Sequence, residues 1–245
     1  MRIRIRFSKL GAVKYVGHLD MMRYFQKAIR RAGIDIRYSE GFSPHQIMSF
    51  ASPLGVGMES RAEYFDIEVN TTASSAVSIG LLNEQMAEGV EVLSYVQLKE
   101  DAKNCMSAAE ATDYEITFRK SHGSFPSGDA LTEKIDAFLS QEEIIAEKLV
   151  KPKNKQKKKR GSAPQIRRFD IRPLIYEFYN EGDLMHVRLS SASANALNTK
   201  VFLERFSAFA GYDYDQSDFS VLRAEVYYSD HGNLKALECA GDEIL

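Results

Sequence analysis

Residues 2–38 read RIRIRFSKLGAVKYVGHLDMMRYFQKAIRRAGIDIRY, and the spacing of their apolar side chains changes twice along the stretch. At 2–8 arginine alternates with isoleucine and phenylalanine, which is typical of a strand whose apolar side chains face inward and whose arginines, Arg2, Arg4 and Arg6, face outward. At 19–32 apolar residues recur every three or four positions, and Gly33 follows, which predicts an amphipathic helix and its end. A further short strand is predicted at 34–38. The stretch therefore predicts a β-α-β order.

Strand and helix patterns continue to alternate along the rest of the chain. In the first half they predict strands at 46–51, 64–69 and 90–98 and a helix at 74–87. In the second half they predict strands at 114–118, 143–150, 169–178, 184–190 and 219–228 and helices at 128–140 and 197–210. Each half then has the split β-α-β-β-α-β order of a ferredoxin-like sandwich, with an extra short strand possible in the first half.

We therefore expect an α+β fold of two tandem ferredoxin-like (β-α-β-β-α-β) domains. The first covers 1–103 and contains the sequences GHLD at 17–20 and GFSPH at 41–45. The second covers 110–228, and 229–245 is expected to be a loose tail. A chain of 245 residues is long enough for two such domains, each with its own core.

Positive charge is concentrated in two places, although the formal net charge is −2. Residues 1–50 contain ten Arg and Lys against three acidic residues, and 151–160, KPKNKQKKKR, contain seven cations and no acid. A segment so poor in apolar residues is expected to form a mobile basic insert at 151–164. Because cations neutralise phosphates without reading a sequence, we consider four of its residues as RNA contacts: Lys157, Lys158, Lys159 and Arg160.

The predicted first helix carries a second basic surface. Its cations are spaced at i, i+4, i+7 and i+8 and therefore share one helix face: Arg23, Lys27, Arg30 and Arg31. Asp20 is the only acid in this helix, so salt bridges within the helix do not account for the face. A plain solvated face is one reading, and contact with a nucleic acid or an acidic protein is the other.

The GFSPH loop at 41–45 is the sharper candidate for a binding site. Gly41 adopts left-handed backbone conformations easily and Pro44 stiffens the chain, so a well-defined turn is predicted. Ser43 then projects from this turn as a contact residue. Phe42 either stacks on a base or fills the core.

Two histidines in this region, His18 and His45, are candidate general acid and base, because imidazole titrates near neutral pH. Contact with a ligand or RNA and structural hydrogen bonding are the alternatives for them. The sequence has no HxH or CxxC spacing, so no metal site is predicted. Nothing in the sequence predicts a cofactor.

The run ASPLGVGMES at 51–60 contains Gly55 and Gly57, which superficially resemble a phosphate-binding loop. Neither GxGxxG nor GxxxxGK[ST] is present, however. A turn between two strands with close backbone packing is the better interpretation.

Several of these motifs together resemble a bacterial family known as radical SAM-associated, or radical SAM-linked, proteins, a domain of unknown function. The resemblance spans roughly residues 1 to 228, and its motifs are GHLD at 17–20, RAGIDIRYSEGFSPH at 31–45, ASPLGVGMES at 51–60, EYFDIEV at 63–69 and FDIRPLI at 169–175. It implies a partner, a separate radical SAM enzyme with a cobalamin-binding-type domain. It implies no reaction for the family member itself.

The cysteines argue that this chain is not itself the radical enzyme. Only Cys105 and Cys239 are present, and they do not match the three-cysteine CxxxCxxC pattern that holds a radical SAM iron–sulfur cluster. Each is expected to be an ordinary thiol.

Three classes of function follow from these features. The chain is expected to be a non-catalytic accessory protein that binds RNA or another polyanionic substrate for the radical SAM partner. The first alternative is an RNA-processing enzyme of the RAMP nuclease type that uses His45 and His18, on the analogy of tandem ferredoxin-like domains. The second is a pure protein-interaction subunit, whose basic helix fits an acidic patch of the partner.

Composition is that of an ordinary globular protein, with 44% hydrophobic and 27% charged residues. No apolar run approaches the roughly 20 residues that span a bilayer, and the alternating start is unlike a signal peptide. We therefore expect a cytoplasmic protein without a membrane partner.

Overall fold

The N-terminal half of the chain alternates strands with two helices, in a computed structural model that describes residues 1–119, 125–150 and 165–245. Its elements are β1 (Arg2–Lys9), α1 (His18–Arg31), β2 (Met48–Phe50), β3 (Glu59–Glu68), α2 (Ser75–Asn83) and β4 (Val90–Leu98). A 3-10 helix, Gly11–Tyr15, leads from β1 towards α1.

The C-terminal half repeats this alternation with additional elements. In chain order these are α3 (Cys105–Ala108), β5 (Ala109–Phe118), α4 (Gly128–Leu139), β6 (Ile145–Val150), β7 (Gln165–Asp170), β8 (Ile175–Glu181), β9 (Leu184–Ser190), α5 (Thr199–Ala210), β10 (Phe219–Asp230), β11 (Asn233–Ala236) and β12 (Gly241–Glu243).

Ten of these strands form one mixed sheet, so the fold is α+β with a large sheet and few helices. The order across the sheet is β12-β4-β1-β3-β10-β5-β9-β8, with β2 paired to β3 and β11 paired to β10. Within the first half, β4, β1, β3 and β2 are antiparallel neighbours, and within the second half β10, β5, β9 and β8 are.

The two halves meet at a short parallel pairing between β3 and β10. Leu222 lies opposite Glu59, and Arg223 lies opposite Ser60. The far end of β3 pairs instead with β2. The long strand β3 therefore pairs with strands of both halves and makes the sheet continuous.

Each half has its own hydrophobic core between its helices and the sheet. In the first half the apolar side of β1 packs against α1, with Ile5, Phe7, Phe25 and Ile29 almost fully buried. The larger core of the second half lies between α4, α5 and the sheet, and is rich in aromatic rings such as Phe138, Phe178, Phe202 and Phe206. The alternation at 2–8 and the helix periodicity thus predict which side faces the core.

The basic face of β1 differs from the expectation that its arginines point outward. Arg4 has no exposed surface. Its guanidinium donates two hydrogen bonds to the Asp66 carboxylate, at 2.8 and 3.0 Å, and others to the carbonyls of Leu237 and Lys103, both at 2.9 Å. A second layer of chain covers this face, which the alternation alone did not reveal.

Part of that layer is the segment 229–245, and the expectation of a loose tail there is wrong. The segment forms a hairpin of β11 with β10, a 3-10 helix (Leu237–Ala240) and then β12, which pairs with β4. Leu237 is completely buried. The segment is ordered because it covers the polar face of the first half.

A second correction concerns 143–150 and 169–178. The structure pairs β6 with β7 in a separate two-stranded sheet, outside the main one. The predicted strand 169–178 is divided, because the Asp170 carboxylate accepts hydrogen bonds from the backbone of Ile144 and Arg172, at 2.8 and 2.9 Å, and a 3-10 turn follows. The basic insert predicted at 151–164 lies outside the described residues.

The short strand predicted at 34–38 is reduced to two isolated bridges, Ile36 with Val69 and Tyr38 with Gln46.

Within the residues that the structure describes, no helix is both long enough and apolar enough to cross a membrane.

Candidate nucleic-acid interface

The helix α1 has one apolar and one basic side, as its sequence predicts. Met21, Phe25, Ala28 and Ile29 are buried against the sheet. On the opposite side the four predicted cations are all exposed: Arg23, Lys27, Arg30 and Arg31. Gly33, with a φ of 69°, follows the end of the helix.

Only some of these cations have partners. Arg23 lies 3.3 Å from Asp20, and both side chains are 69% exposed, so this pair contributes little. Arg31 donates to the side chain and backbone of Gln85, at 3.1 and 3.3 Å, and keeps its charge. Lys27 and Arg30 have neither an ion pair nor a side-chain hydrogen bond within the described parts of the chain. The outer face of α1 therefore retains unneutralised positive charge.

The GFSPH loop forms a closed turn beside this helix. The Ser39 amide donates to the carbonyl of His45 at 2.8 Å, and the His45 amide donates to the Ser39 hydroxyl at 3.1 Å. The same hydroxyl lies 2.8 Å from Nδ1 of His45. Gly41 takes a φ of 109°, a value that side chains disfavour. The turn predicted from the glycine and proline is therefore present and held at its base.

Gln46 joins this turn to α1. Its buried side chain donates from Nε2 to the Gln26 carbonyl at 3.2 Å. At the tip of the turn Phe42 is fully exposed, so it does not fill the core. Ser43 is exposed as well. An exposed aromatic ring on a turn that is joined to a helix with unpaired cations is a combination that proteins use to hold single-stranded nucleic acid.

The two histidines have different neighbours. The ring of His18, the first residue of α1, packs edge-on against Phe50 with centroids 5.4 Å apart. His45 belongs to the turn whose Gln46 contacts α1 at Gln26. Gln26 follows His18 by eight residues, which is about 12 Å along the helix axis. His45 is held by hydrogen bonds with Ser39. The contacts of neither ring bring the two imidazoles together as an acid–base pair.

Four predicted contacts lie outside the described residues: Lys157, Lys158, Lys159 and Arg160.

Cys105 is buried and donates to the Ser49 carbonyl at 3.0 Å. Burial raises the pKa of its thiol to about 12, so it is not a reactive thiolate. Cys239 is exposed.

A cleft with a volume of about 870 Å³ lies between the two halves, and no sequence motif predicted it. One wall is the turn 52–58, which includes Gly55 and Gly57, and the other is the start of α5 around Asn198. The turn was predicted, but its opposite wall is more than 130 residues away in sequence. The sequence features that mark the two walls are Gly55 and Gly57 on one side and the helix cap Asn198 on the other. Neither feature predicts that the other lies opposite it.

Comparison with protein-family models gives a match over most of the chain. A family model described as "Uncharacterized protein conserved in bacteria (DUF2344)" matches residues 2–200. No curated protein matches the sequence significantly. Among solved structures, a chain of "Crystal Structure of a Cbf5-Nop10-Gar1 Complex" is 10% identical with a TM-score of 0.45. The alignment covers 93% of this chain and 50% of that one, so the present chain spans about half of its length.

Proposed function

The chain belongs to the family of uncharacterized proteins conserved in bacteria whose model matches residues 2–200, and we propose that it is an accessory protein that binds RNA or another polyanion for a separate radical SAM enzyme. The binding surface is the outer face of α1 together with the turn 39–46. The observation that carries the proposal is the fully exposed Phe42 on a turn that Gln46 joins to α1, the helix whose Lys27 and Arg30 have no ion pair within the described residues.

Phosphate contacts supply sequence-independent affinity, and aromatic stacking supplies a grip on unpaired bases. The α1 surface offers both. Beyond this surface, the sequence of 151–160 has seven cations within ten residues, which favours polyanion binding on charge alone. Since stacking requires an accessible base, single-stranded RNA is the form that this surface fits best.

The radical SAM partnership rests on the resemblance of five motifs, among them GHLD at 17–20 and GFSPH at 41–45. Both lie on the proposed surface or at its edge, where a partner enzyme would meet bound RNA. Affinity purification of the tagged chain from its own bacterium tests this part. The expected result is a co-purifying radical SAM enzyme with a cobalamin-binding-type domain, and its absence after crosslinking contradicts the partnership.

We further propose that each half is a ferredoxin-like domain, as the sequence predicts. The strand orders β4-β1-β3-β2 and β10-β5-β9-β8, each antiparallel with two helices on one face, support this assignment. In this reading β6, β7 and the tail are additions to a duplicated sandwich.

Reversal of charge on α1 is expected to weaken RNA binding. In the triple variant Arg23→Glu, Lys27→Glu, Arg30→Glu, the slope of log affinity against log salt should decrease by about two units, because up to three phosphate contacts are lost and each contributes about 0.7 on a single strand. Fluorescence anisotropy with a single-stranded RNA between low and physiological salt measures this slope. Stability should be almost unchanged, since all three side chains are exposed.

The matched control reverses two exposed cations on the other half, Lys134→Glu on α4 and Arg205→Glu on α5. This control changes net charge substantially but leaves the proposed surface intact, so its salt slope should remain close to that of the natural chain. An equal loss in both variants would mean that only overall charge matters, and would remove α1 as the binding surface.

Phe42→Ala is expected to reduce affinity for single-stranded RNA by about 5- to 150-fold, since stacking contributes about 1–3 kcal/mol per base. Phe42→Tyr should retain most of the affinity. The fully exposed ring makes no core contact, so thermal stability should not change. Tyr176→Ala, which removes an exposed aromatic ring of β8, is the control. Equal affinities of the Phe42→Ala variant and the natural chain would show that the ring does not contact RNA.

A further inference from the structure

The cleft between the halves has the size of a small-molecule site. Its volume of about 870 Å³ falls within the usual range for ligand pockets, roughly 300–1,000 Å³. The turn 52–58 forms one wall, and the loop after β9 and the start of α5 form the other. Strand β10 contributes Arg223 to its lining. No residue of α1 lines it, so it is separate from the proposed RNA surface.

The helix start in this cleft has unused hydrogen-bond donors. The α5 helix runs for 12 residues from Thr199, and the amides of its first turn have no acceptor inside the helix. Asn198 caps only one of them, the Lys200 amide, at 2.7 Å. No side chain within the described ranges accepts from the Thr199 amide. Such a helix start attracts an anion through its free amides and its dipole.

A second observation, independent of the helix, points to the same ligand. Arg223 lines the cleft, and only 4% of its side chain is exposed. Its Nη1 donates to Glu63 at 2.7 Å and to the Ser52 carbonyl at 3.0 Å, but its Nε has no hydrogen-bond partner. The hydroxyl of Ser191, which also lines the cleft, is likewise buried without a partner. Buried donors without acceptors are rare, and both of these residues line the cleft.

The charge of the cleft is positive. Its lining includes one acid, Asp215, and three cations, Arg119, Lys200 and Arg223, of which Arg223 is already paired with Glu63. The Asp215 carboxylate is already engaged by the amide and hydroxyl of Ser217, both at 2.8 Å. Lys200 has one exposed ion pair, to Glu204 at 3.7 Å, which contributes little. The excess of cations favours an anionic group.

The other end of the cleft is less polar. Tyr15 and Val56 line it, and both are more than half exposed, at 65% and 54%. An exposed ring and an aliphatic side chain give the organic part of a ligand a surface to pack on. The cleft thus combines an anion-binding end with an apolar end.

We propose that this cleft binds a small phosphate monoester, with its phosphate at the start of α5 near Arg223 and Ser191 and its organic part against Tyr15 and Val56. The site is distinct from the RNA surface on α1. It also assigns a use to the glycine-containing turn 52–58, which forms its wall.

Isothermal titration calorimetry on the full chain tests the site with three probes: AMP, adenosine and inorganic phosphate. AMP should bind, inorganic phosphate should bind more weakly, and adenosine should bind at least about tenfold more weakly than AMP, because charge-assisted contacts to the phosphate are lost. Ribose 5-phosphate in place of AMP determines whether the organic part must be a nucleoside. Absence of AMP binding at millimolar concentration, or equal binding of adenosine, would overturn the proposal.

Two variants with little risk to folding locate the binding. Lys200→Ala removes an exposed cation and Ser191→Ala removes a hydroxyl that has no partner, so both proteins should fold while their AMP affinity falls several-fold. Ser207→Ala is the control, because its hydroxyl is also buried without a partner but does not line the cleft. Unchanged affinity in both Lys200→Ala and Ser191→Ala, or an equal loss in Ser207→Ala, contradicts the site.

The α1 triple variant Arg23→Glu, Lys27→Glu, Arg30→Glu separates this site from the RNA surface. It should bind AMP with the affinity of the natural chain. A large loss of AMP binding in that variant would show that AMP binds to the basic helix, and the cleft proposal would then be wrong.

Discussion

Arg4→Leu is expected to lower the free energy of unfolding by about 3–5 kcal/mol, because removal of one partner of a buried ion pair leaves the other charge unpaired. Arg4 is completely buried and binds both oxygens of Asp66. It also donates to the carbonyls of Leu237 and Lys103, so its loss leaves acceptors in three segments unsatisfied. Urea unfolding followed by circular dichroism measures the change.

The double variant Arg4→Leu, Asp66→Asn tests the cause. Asparagine removes the stranded charge but keeps an oxygen for the Cys105 amide, which now donates to Asp66 at 2.8 Å. Part of the lost stability should return. Arg2→Leu is the matched control, since Arg2 lies on the same side of β1, donates only to backbone carbonyls and is half-buried. A loss for Arg2→Leu as large as that for Arg4→Leu would mean that the ion pair is not the cause.

Glu63→Gln is expected to cost a similar amount, about 3–5 kcal/mol, at the junction of the two halves. Glu63 is buried between two buried cations: it accepts from Arg223 at 2.7 Å, and it attracts Lys9, whose ammonium donates to the Val16 carbonyl at 2.8 Å. Glutamine leaves both cations without a negative charge. The same substitution in a Lys9→Met background should cost less, because only one cation is then stranded.

The stability lost in the Glu63→Gln variant should depend on pH in a defined direction. Burial lowers the pKa of Lys9 below its usual 10.5, Glu63 opposes that decrease and Arg223 adds to it. Between the folded and unfolded pKa the unfolded chain binds more protons, so stability rises with pH in that window. Without Glu63 the folded pKa falls further and the window extends to lower pH. As the pH rises towards 10.5, the Glu63→Gln variant should therefore begin to recover stability at a lower pH than the natural chain does.

Glu115→Gln is the control for both measurements. Its partner Arg61 is about half exposed, so the loss should be below about 1 kcal/mol and nearly independent of pH over this range. If Glu63→Gln were as mild as Glu115→Gln, the buried cluster would not be what stabilises the junction.

The sequence predicts elements best where one periodicity persists. The spacing of apolar residues predicted a helix at 19–32 where α1 covers His18–Arg31, and the predicted strands at 90–98 and 184–190 match β4 and β9. Elements that depend on a distant partner were not predicted. The three-residue β12 is a strand only because β4 lies beside it, and Asp170 ends β7 through a bond to Ile144.

The candidate RNA surface likewise has a part that local spacing predicts and a part that depends on distant residues. The i, i+4, i+7, i+8 spacing predicted the basic face of α1, because helix geometry alone determines which side chains share a face. Whether Phe42 would be buried or exposed depended on how the turn sits against Gln26, which no local pattern specifies. The cleft was unpredictable for a related reason, since its walls meet only after β3 and β10 have paired.

The return of the C-terminal segment to β1 has a consequence for synthesis of the chain. Arg4 contacts Leu237, 233 residues later, and ribosomes add about 5–20 residues per second, so roughly 10 to 50 s separate the synthesis of these partners. During that time the polar face of β1 lacks the cover it has in the finished protein. The four neighbouring antiparallel strands of the second half, β10, β5, β9 and β8, have all been made by Asp230, before Leu237. The half that is translated first is therefore the half that is completed last.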